Sequence, residues 1–316
     1  MEFLGFSKAL YSTWIFYKPE RLLFDAGEGV STYLGNRIFA ISSIFLTHGH
    51  VDHIAGLWGI VNSRNNAMGD REKPLKVFYP RGNRAIEAYL DFISRANSDL
   101  RYQFEGHPIE DGEKVFLRNA GSFERYIVPF RVKHTRDEIS FGYHLVEKRS
   151  RLRPEYAGKE SREIAKLVKQ LGRDAITESY ESKLLTISGD SMALPVEEVE
   201  GTDTLLHECT FMDVSERKFP NHVSLEELIP LIHQARPKRV ILYHISTRFE
   251  RRLKHYKEMI EKEFKEEDIE FHFIHPSKYS NCDKGGTLMG ARLKGRHFIT
   301  TAEFERDELE MMIEVS

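Results

Sequence analysis

The stretch His48-Gly49-His50-Val51-Asp52-His53 places four side chains able to bind a metal within six consecutive positions. It directly follows Ser43-Ile44-Phe45-Leu46, an apolar run with the length and composition of a buried strand. A strand that ends in a polar, donor-dense loop gives its side chains a rigid base and aims them at one place. Three imidazoles and a carboxylate suit zinc, manganese or iron. Residues two apart point the same way on an extended segment, so His48 and His50 can share one ion. Asp52 and His53 then project elsewhere, towards a second ion. The competing reading is a surface turn rich in histidine. Such a density of donors straight after a strand counts against it.

The segments outside this loop alternate between strand and helix patterns. Residues 13–17 and 21–25 are short β-like runs separated by the turn Lys18-Pro19-Glu20. Asp25-Ala26-Gly27-Glu28-Gly29 follows, with two glycines that permit tight backbone. Residues 54–61 read as a helix, 75–79 as a strand, and 85–93 as a helix with Leu90 and Ile93 on one side. Further on, residues 126–133 and 139–146 are β-rich and joined by His134-Thr135-Arg136-Asp137-Glu138. Residues 183–188, 203–207, 239–243 and 269–274 are further strands. Residues 225–234 form an amphipathic helix, with Ser224 as its cap and Glu227 three positions on; residues 249–264 form a long charged one. Strands and helices taking turns predict an α/β architecture. Trp14, Phe16 and Trp58 are expected to be core or packing residues rather than base-stacking platforms.

Composition narrows the setting. With 316 residues and 41% hydrophobic side chains, the chain can bury a sizeable core. No run reaches the roughly 18–20 apolar residues of a membrane span. The start, Met1-Glu2-Phe3-Leu4, has no basic stretch leading into a long apolar one, so neither a membrane partner nor a secretion signal is expected. Two cysteines, Cys209 and Cys282, cannot build a disulfide framework and fit a reducing cytoplasm. A net charge of −3 leaves any attraction for nucleic acid to local patches. Residues 148–173 form such a patch, with nine Lys and Arg against three Glu. Residues 148–182 lie between two predicted core strands and read as an inserted arm, part loop and part helix. A solvated helical face explains a charge run equally well. Residues 276–316 are a C-terminal extension of unassigned role.

Three later residues complete the donor pattern. His134 ends a predicted strand, Asp190 follows Leu184-Leu185-Thr186-Ile187-Ser188-Gly189, and His244 follows Val240-Ile241-Leu242-Tyr243. A lone histidine at a strand end is most often a surface or hydrogen-bonded residue. Three ligand-type residues at strand ends, added to His-x-His-x-Asp-His, point to a metal centre. The series also includes Phe24-Asp25-Ala26-Gly27-Glu28-Gly29, Thr47-His48-Gly49-His50-Val51-Asp52-His53-Ile54-Ala55-Gly56-Leu57, and His134 with Phe141-Gly142-Tyr143. Ser188-Gly189-Asp190, Leu206-His207-Glu208-Cys209-Thr210-Phe211, Asn221-His222-Val223-Ser224 and His244-Ile245-Ser246-Thr247-Arg248-Phe249 follow in order. Together these elements resemble the metallo-β-lactamase superfamily. The His-Glu-x-Thr-Phe and His-x-Ser-x-Arg-aromatic segments favour, within it, the ribonuclease Z family, enzymes that trim the 3′ end of precursor tRNA.

The resemblance implies one domain over residues 1–316 with the superfamily's αββα four-layer sandwich. It implies two Zn2+, or Mn2+ in their place: His48, His50 and His134 on one ion, Asp52, His53 and His244 on the other, and Asp190 bridging both. Asp25 holds the His-rich loop by hydrogen bonds. Two metals roughly 3.5–4 Å apart clamp both oxygens of an in-line displacement at phosphorus. In the implied mechanism Asp52 orients the attacking water and accepts its proton. His222, oriented by Glu208, protonates the leaving ribose 3′ oxygen. Ser246 and Arg248 meet phosphate near the metals. Arg64, in the stretch 62–73 with Gly69 and Arg71, borders the cleft. Arg151 and Arg153 grip tRNA backbone from the arm. The implied partner is precursor tRNA, and the implied assembly is a homodimer in which one subunit's arm reaches the tRNA on the other.

The implied activity is therefore that of a zinc-dependent phosphodiesterase, an endoribonuclease. A phosphodiesterase for small molecules of the cyclic-nucleotide type shares the metals without needing the arm. A nucleic-acid-binding protein with structural metals is a third reading. The chain departs from the family at Phe3-Leu4-Gly5-Phe6-Ser7, where members have a Gly-Thr-rich turn. Its arm has only Gly158, Gly172 and Pro154 where many members have a glycine- and proline-rich tip, and shows a helical pattern at Ile164, Leu167, Val168 and Leu171.

Overall fold

The computed structural model describes residues 3–67, 71, 73–278 and 280–282. Two seven-stranded sheets face each other. The first takes β1 (Phe3–Lys8), β2 (Ser12–Tyr17), β3 (Leu22–Phe24), β4 (Ser43–Phe45), β5 (Leu75–Pro80) and β6 (Phe104–Ile109) side by side in chain order. The second takes β7 (Val115–Asn119), β8 (Phe123–Arg131), β9 (Phe141–Leu152), β10 (Thr177–Ile187), β11 (Thr202–Glu208), β12 (Arg239–Tyr243) and β13 (Glu270–Phe273) in the same manner. A last strand, β14 (Ser280–Cys282), pairs with β1 at the edge of the first sheet. Strands β3 to β6 run parallel, as do β10 to β13.

Side-chain alternation explains the layers. Along β2, Trp14 and Phe16 point outward with Leu4 and Leu23, while Ile15 and Tyr17 point inward with Phe3, Phe24 and Phe45. The outward set is covered by α1 (Val30–Leu34), α2 (Val51–Ile54), α3 (Leu57–Ala67) and α4 (Arg84–Ala96), through Val30, Ile54, Leu57, Ile60, Ile86 and Ile93. The short α5 (Ser161–Leu171) and α6 (Arg173–Ile176) belong to the arm. On the far side α7 (Val196–Val199), α8 (Leu225–Ala235) and α9 (Leu253–Glu263) cover the second sheet, with Val199, Leu228, Ile232 and Ile260 against Val240 and Leu242. Between the sheets, Phe24 and Phe45 meet Tyr143 at ring distances of 6.0 and 5.5 Å. Each such buried side chain contributes roughly 1.5–3 kcal/mol of transfer free energy, so the middle layer is what holds the two sheets face to face. The order is helix, sheet, sheet, helix, the expected αββα sandwich.

Some elements differ from expectation. Strands β9 and β10 run on beyond β8 as a two-stranded ribbon, paired from Ser150↔Ser179 to Leu152↔Thr177. The arm is therefore ribbon as well as helix; its charged strand residues lack the apolar alternation that signals a strand. Residues 3–8, which read as an altered turn, form β1, and β6 and β7 also went unpredicted. The helix expected over 54–61 is two helices, broken where Gly56 touches the loop at Gly27. The long helix expected over 249–264 opens as a 3-10 segment, Thr247–Arg252, before α9. Trp14 and Phe16 are core residues, and Trp58, 40% exposed, packs edge-on against Phe92 at 5.0 Å. No described helix is long and apolar enough to cross a membrane. Gly69, and residues 283–316 of the C-terminal extension, lie outside the described residues.

Candidate metal centre

The parallel strands of both sheets end at one place, with Phe24 beside Phe45 and Glu208 beside Tyr243. In open α/β sheets ligands collect at the carboxyl ends of strands. Just past β3 the backbone turns at Asp25, which has φ +56°. Its carboxylate accepts from Thr47 N at 2.7 Å, Thr47 Oγ1 at 2.9 Å and His53 Nδ1 at 2.7 Å. Asp25 thus staples the His-rich loop to the tip of β3. Position 27 has room only for glycine, because a Cβ there would lie 2.4 Å from Asp52 O.

Seven side chains converge on this spot. Donor atoms of His48, His50, His134 and Asp190 lie within 4.8 Å of one another, as do those of Asp52, His53 and His244. Asp190 joins the two groups: its Oδ2 is 3.3 Å from both His53 Nε2 and His244 Nε2, and 3.9 Å from His48 Nε2. Asp52 Oδ2 lies 3.7 Å from His53 Nε2 and 3.5 Å from His244 Nε2.

The outer nitrogens of the buried rings are tied down. His48 Nδ1 donates to Thr47 Oγ1 at 2.9 Å, His134 Nδ1 to Asn221 O at 2.9 Å, and His244 Nδ1 to Thr210 Oγ1 at 2.9 Å. His53 Nδ1 donates to Asp25. These partners assign the tautomers and leave each Nε2 lone pair facing inward.

Nε2 of His48, His53 and His244 and Oδ1 of Asp190 are buried and have no hydrogen-bond partner. An unsatisfied buried polar atom costs roughly 1–3 kcal/mol, so a cluster of them facing one point is what bound cations would satisfy. Imidazole and carboxylate donors fit zinc or manganese.

The charges agree. Burial alone would raise the Asp190 pKa, but His244, His53 and His48 around it hold the carboxyl well below its ordinary range. Burial, reinforced by the neighbouring His53, pushes His48 well below the ordinary imidazole value and keeps it neutral, as a ligand must be.

Beside the donors stands a proton-holding pair. His222 Nδ1 donates to Glu208 Oε1 at 2.8 Å. The fully buried Glu208 also accepts from Ser191 N at 3.1 Å, Thr210 N at 2.9 Å and Thr210 Oγ1 at 2.9 Å. Burial opposes a charged His222, but Glu208 and then Asp190 outweigh it and raise the pKa to about 9. The His222 ring lies 4.9 Å from that of His134 and 5.2 Å from that of His244. Ser224 does cap α8, in a reciprocal box with Glu227, so the cap and the catalytic candidate share one turn.

The remaining site candidates divide. Ser246 follows His244 on the rim, where its N–H donates to Thr210 O at 3.2 Å, and the exposed Arg248 lies over Phe211 at 5.6 Å. Arg64 is corrected: α3 continues to Ala67, and the buried guanidinium donates to Ile38 O, Ile41 O and Lys73 O at 3.2, 3.0 and 3.2 Å. It braces the backbone and cannot reach a substrate. Arg151 lies in the ribbon, where it pairs with Glu178 at 2.8 Å, and Arg153 lies just past its last pair. The strand distance from Tyr143, near the donors, to Leu152 is ~30 Å. Sequence reasoning gave no role to Thr47, Thr210, Asn221 or Glu138. The first three stand in the quoted motifs; Glu138 sits in a loop without any pattern.

Two facing sheets with His and Asp donors at their strand tips define a class. A family profile described as the Metallo-beta-lactamase superfamily matches residues 11–145. Over those residues the chain is similar to that superfamily. Within it the similarity runs to ribonuclease Z. The ribonuclease Z of Natronomonas pharaonis is 29% identical over 277 residues, covering 78% of this chain and 87% of that protein. That of Thermococcus gammatolerans is 26% identical over 256 residues, covering 74% and 77%. Human tRNase Z, short form, shares the fold, with a TM-score of 0.58 at 20% identity over 89% of this chain and 98% of that one.

Proposed function

We propose that this chain is a two-zinc phosphodiesterase that cleaves precursor tRNA to form its 3′ end, in keeping with its similarity to ribonuclease Z. The observation that carries the reading is the convergence of the donors beside the His222–Glu208 pair. His48, His50 and His134 would hold one cation and Asp52, His53 and His244 the other, with Asp190 available to both. When bound, the pair supplies Lewis acidity, which lowers the pKa of water and offsets the negative charge that phosphorus gathers in the transition state. Asp52 orients the attacking water and takes its proton. His222, held at Nδ1 by Glu208, presents Nε2 to the departing ribose 3′ oxygen and gives it a proton as the P–O3′ bond breaks.

Ser246 and Arg248 serve the phosphates at the rim, and Arg151 and Arg153 the backbone beyond it. The ribbon leaves the sheet at the end remote from the donors. It is therefore better placed for tRNA held by a second copy, and the reading includes a homodimer, working in the cytoplasm. Incubation with a precursor tRNA carrying a 3′ trailer, in Zn2+ or Mn2+, tests the proposal. Release of the trailer is the expected result, and an intact trailer contradicts it.

A further inference from the structure

Of the histidines in the two donor groups, His50 is held least by packing. Its side chain is 43% exposed, against 0% for His48 and His53 and 2% for His244. A half-exposed ring keeps rotamer freedom that a ligand must lose on binding, so something other than packing has to fix it. His50 Nδ1 faces inward, 3.2 Å from His134 Nε2. Its Nε2 lies 3.2 Å from Glu138 Oε2. The other oxygen of Glu138 accepts from Gly49 N at 2.6 Å and from Asn83 Nδ2 at 3.0 Å. Space is reserved for this carboxylate: a Cβ at position 49 would meet Glu138 Oε1 at 2.6 Å and Asn83 Oδ1 at 2.7 Å. The reaction outlined above makes no use of Glu138.

We propose that Glu138 is the positioning residue of the His48–His50–His134 site, fixing the ring and tautomer of His50 through the Nε2 contact. The inference rests on the two-cation reading. In the other half of the centre Asp25 stands in the same relation to His53, at 2.7 Å. Each half thus has one histidine–carboxylate pair, with the carboxylate on the nitrogen that faces away from the centre. A carboxylate there makes the inner nitrogen a better base and stops the ring from turning. Glu138 also links the His-rich loop to the first turn of α4, since Asn83 caps that helix by accepting from Ile86 N at 3.1 Å.

The test is a Zn2+ titration of metal-free protein against a chromophoric chelator, with Co2+ absorption spectra alongside. Wild type, Glu138→Ala, Glu138→Gln and Asn83→Ala are compared. Wild type is expected to take two equivalents. Glu138→Ala should keep one at wild-type affinity and bind the other about 10–100-fold more weakly, with the Co2+ bands of that site altered. Glu138→Gln has one oxygen where the two contacts use two, so it should weaken the same site to a smaller degree. Asn83→Ala leaves the His50 contact in place and should keep both equivalents tight.

Two tight equivalents in Glu138→Ala overturn the role of Glu138 while leaving the two-cation reading intact. Equal weakening in Asn83→Ala also overturns it, because loop anchoring alone would then account for the loss. Wild type that binds no cations removes the two-cation reading and this inference together. Melting of the metal-free proteins shows which variants fold. Should Glu138→Ala not fold, Glu138→Gln decides, and wild-type affinity there overturns the proposal.

Discussion

At Asp190 one carboxylate oxygen meets two imidazole Nε2 atoms at 3.3 Å, and the other oxygen has no partner. Cations bound there would satisfy that oxygen and the imidazole nitrogens beside it. His222 is different: its Nδ1 is committed to Glu208, and it serves as a proton donor in the proposed reaction. Replacing His222 with Asn is expected to slow single-turnover cleavage of precursor tRNA about 10²–10⁴-fold with metal content unchanged; a loss below tenfold speaks against the proton-donor role.

A second histidine lies away from the donors. His144 stacks on Phe130 at 4.3 Å and contacts Thr186 at 3.0 Å and Glu198 at 2.8 Å. Burial, only partly offset by Glu198, lowers its pKa from 6.5 to about 4. The unfolded chain therefore takes this proton first as the pH falls. The contribution of His144 to stability is full above pH 6.5 and is lost between there and about pH 4. Urea unfolding at pH 7 and pH 4.5 should show His144→Gln losing less stability on acidification than wild type, by an amount on the order of 1–3 kcal/mol. Equal losses contradict this.

The donor positions were legible because each is a short polar residue straight after an apolar run. Arg64 misled because a guanidinium in a polar stretch looks exposed, and only the packed fold reveals the three carbonyls it joins.

Among the elements, the arm tests the substrate. Its helix α5 has no buried residue and carries Arg162, Lys166 and Lys169 on the surface. Part of the arm's positive charge is spent locally, as Arg149 pairs with Glu147 and Lys159 with Glu163. Removing residues 151–169 is expected to reduce tRNA cleavage at least tenfold and flatten its salt dependence, while a small chromogenic diester is still hydrolysed at the wild-type rate. Unchanged tRNA cleavage favours the small-molecule reading instead. The ribbon could not be foreseen, since β9 and β10 change from apolar alternation to charged residues where they leave the core. The split between α2 and α3 was hidden for another reason. It is set by the contact of Gly56 with Gly27 O across the loop, which no local pattern records.

Across the whole molecule, the sandwich follows from period-two alternation on strands that are covered on both faces. That pattern was readable in the central strands. It was not readable in β6, whose Phe-Glu-Gly-His-Pro-Ile sequence lacks alternation and is defined by its pairing with β5. The centre draws on both sheets, with Asp25 and the His-rich loop from one and His134, Asp190 and His244 from the other. Cation binding should therefore stabilise the whole sandwich. At 100 times the dissociation constant it adds about 2.7 kcal/mol per site, so adding a chelator should lower the melting temperature by several degrees; an unchanged melting curve counts against a shared centre. The most direct measurement is anomalous diffraction at the zinc edge from crystals of the metal-loaded protein. It is predicted to show two peaks per chain flanking Asp190, one among His48, His50 and His134 and one among Asp52, His53 and His244; a single peak, or peaks away from these donors, would contradict the account.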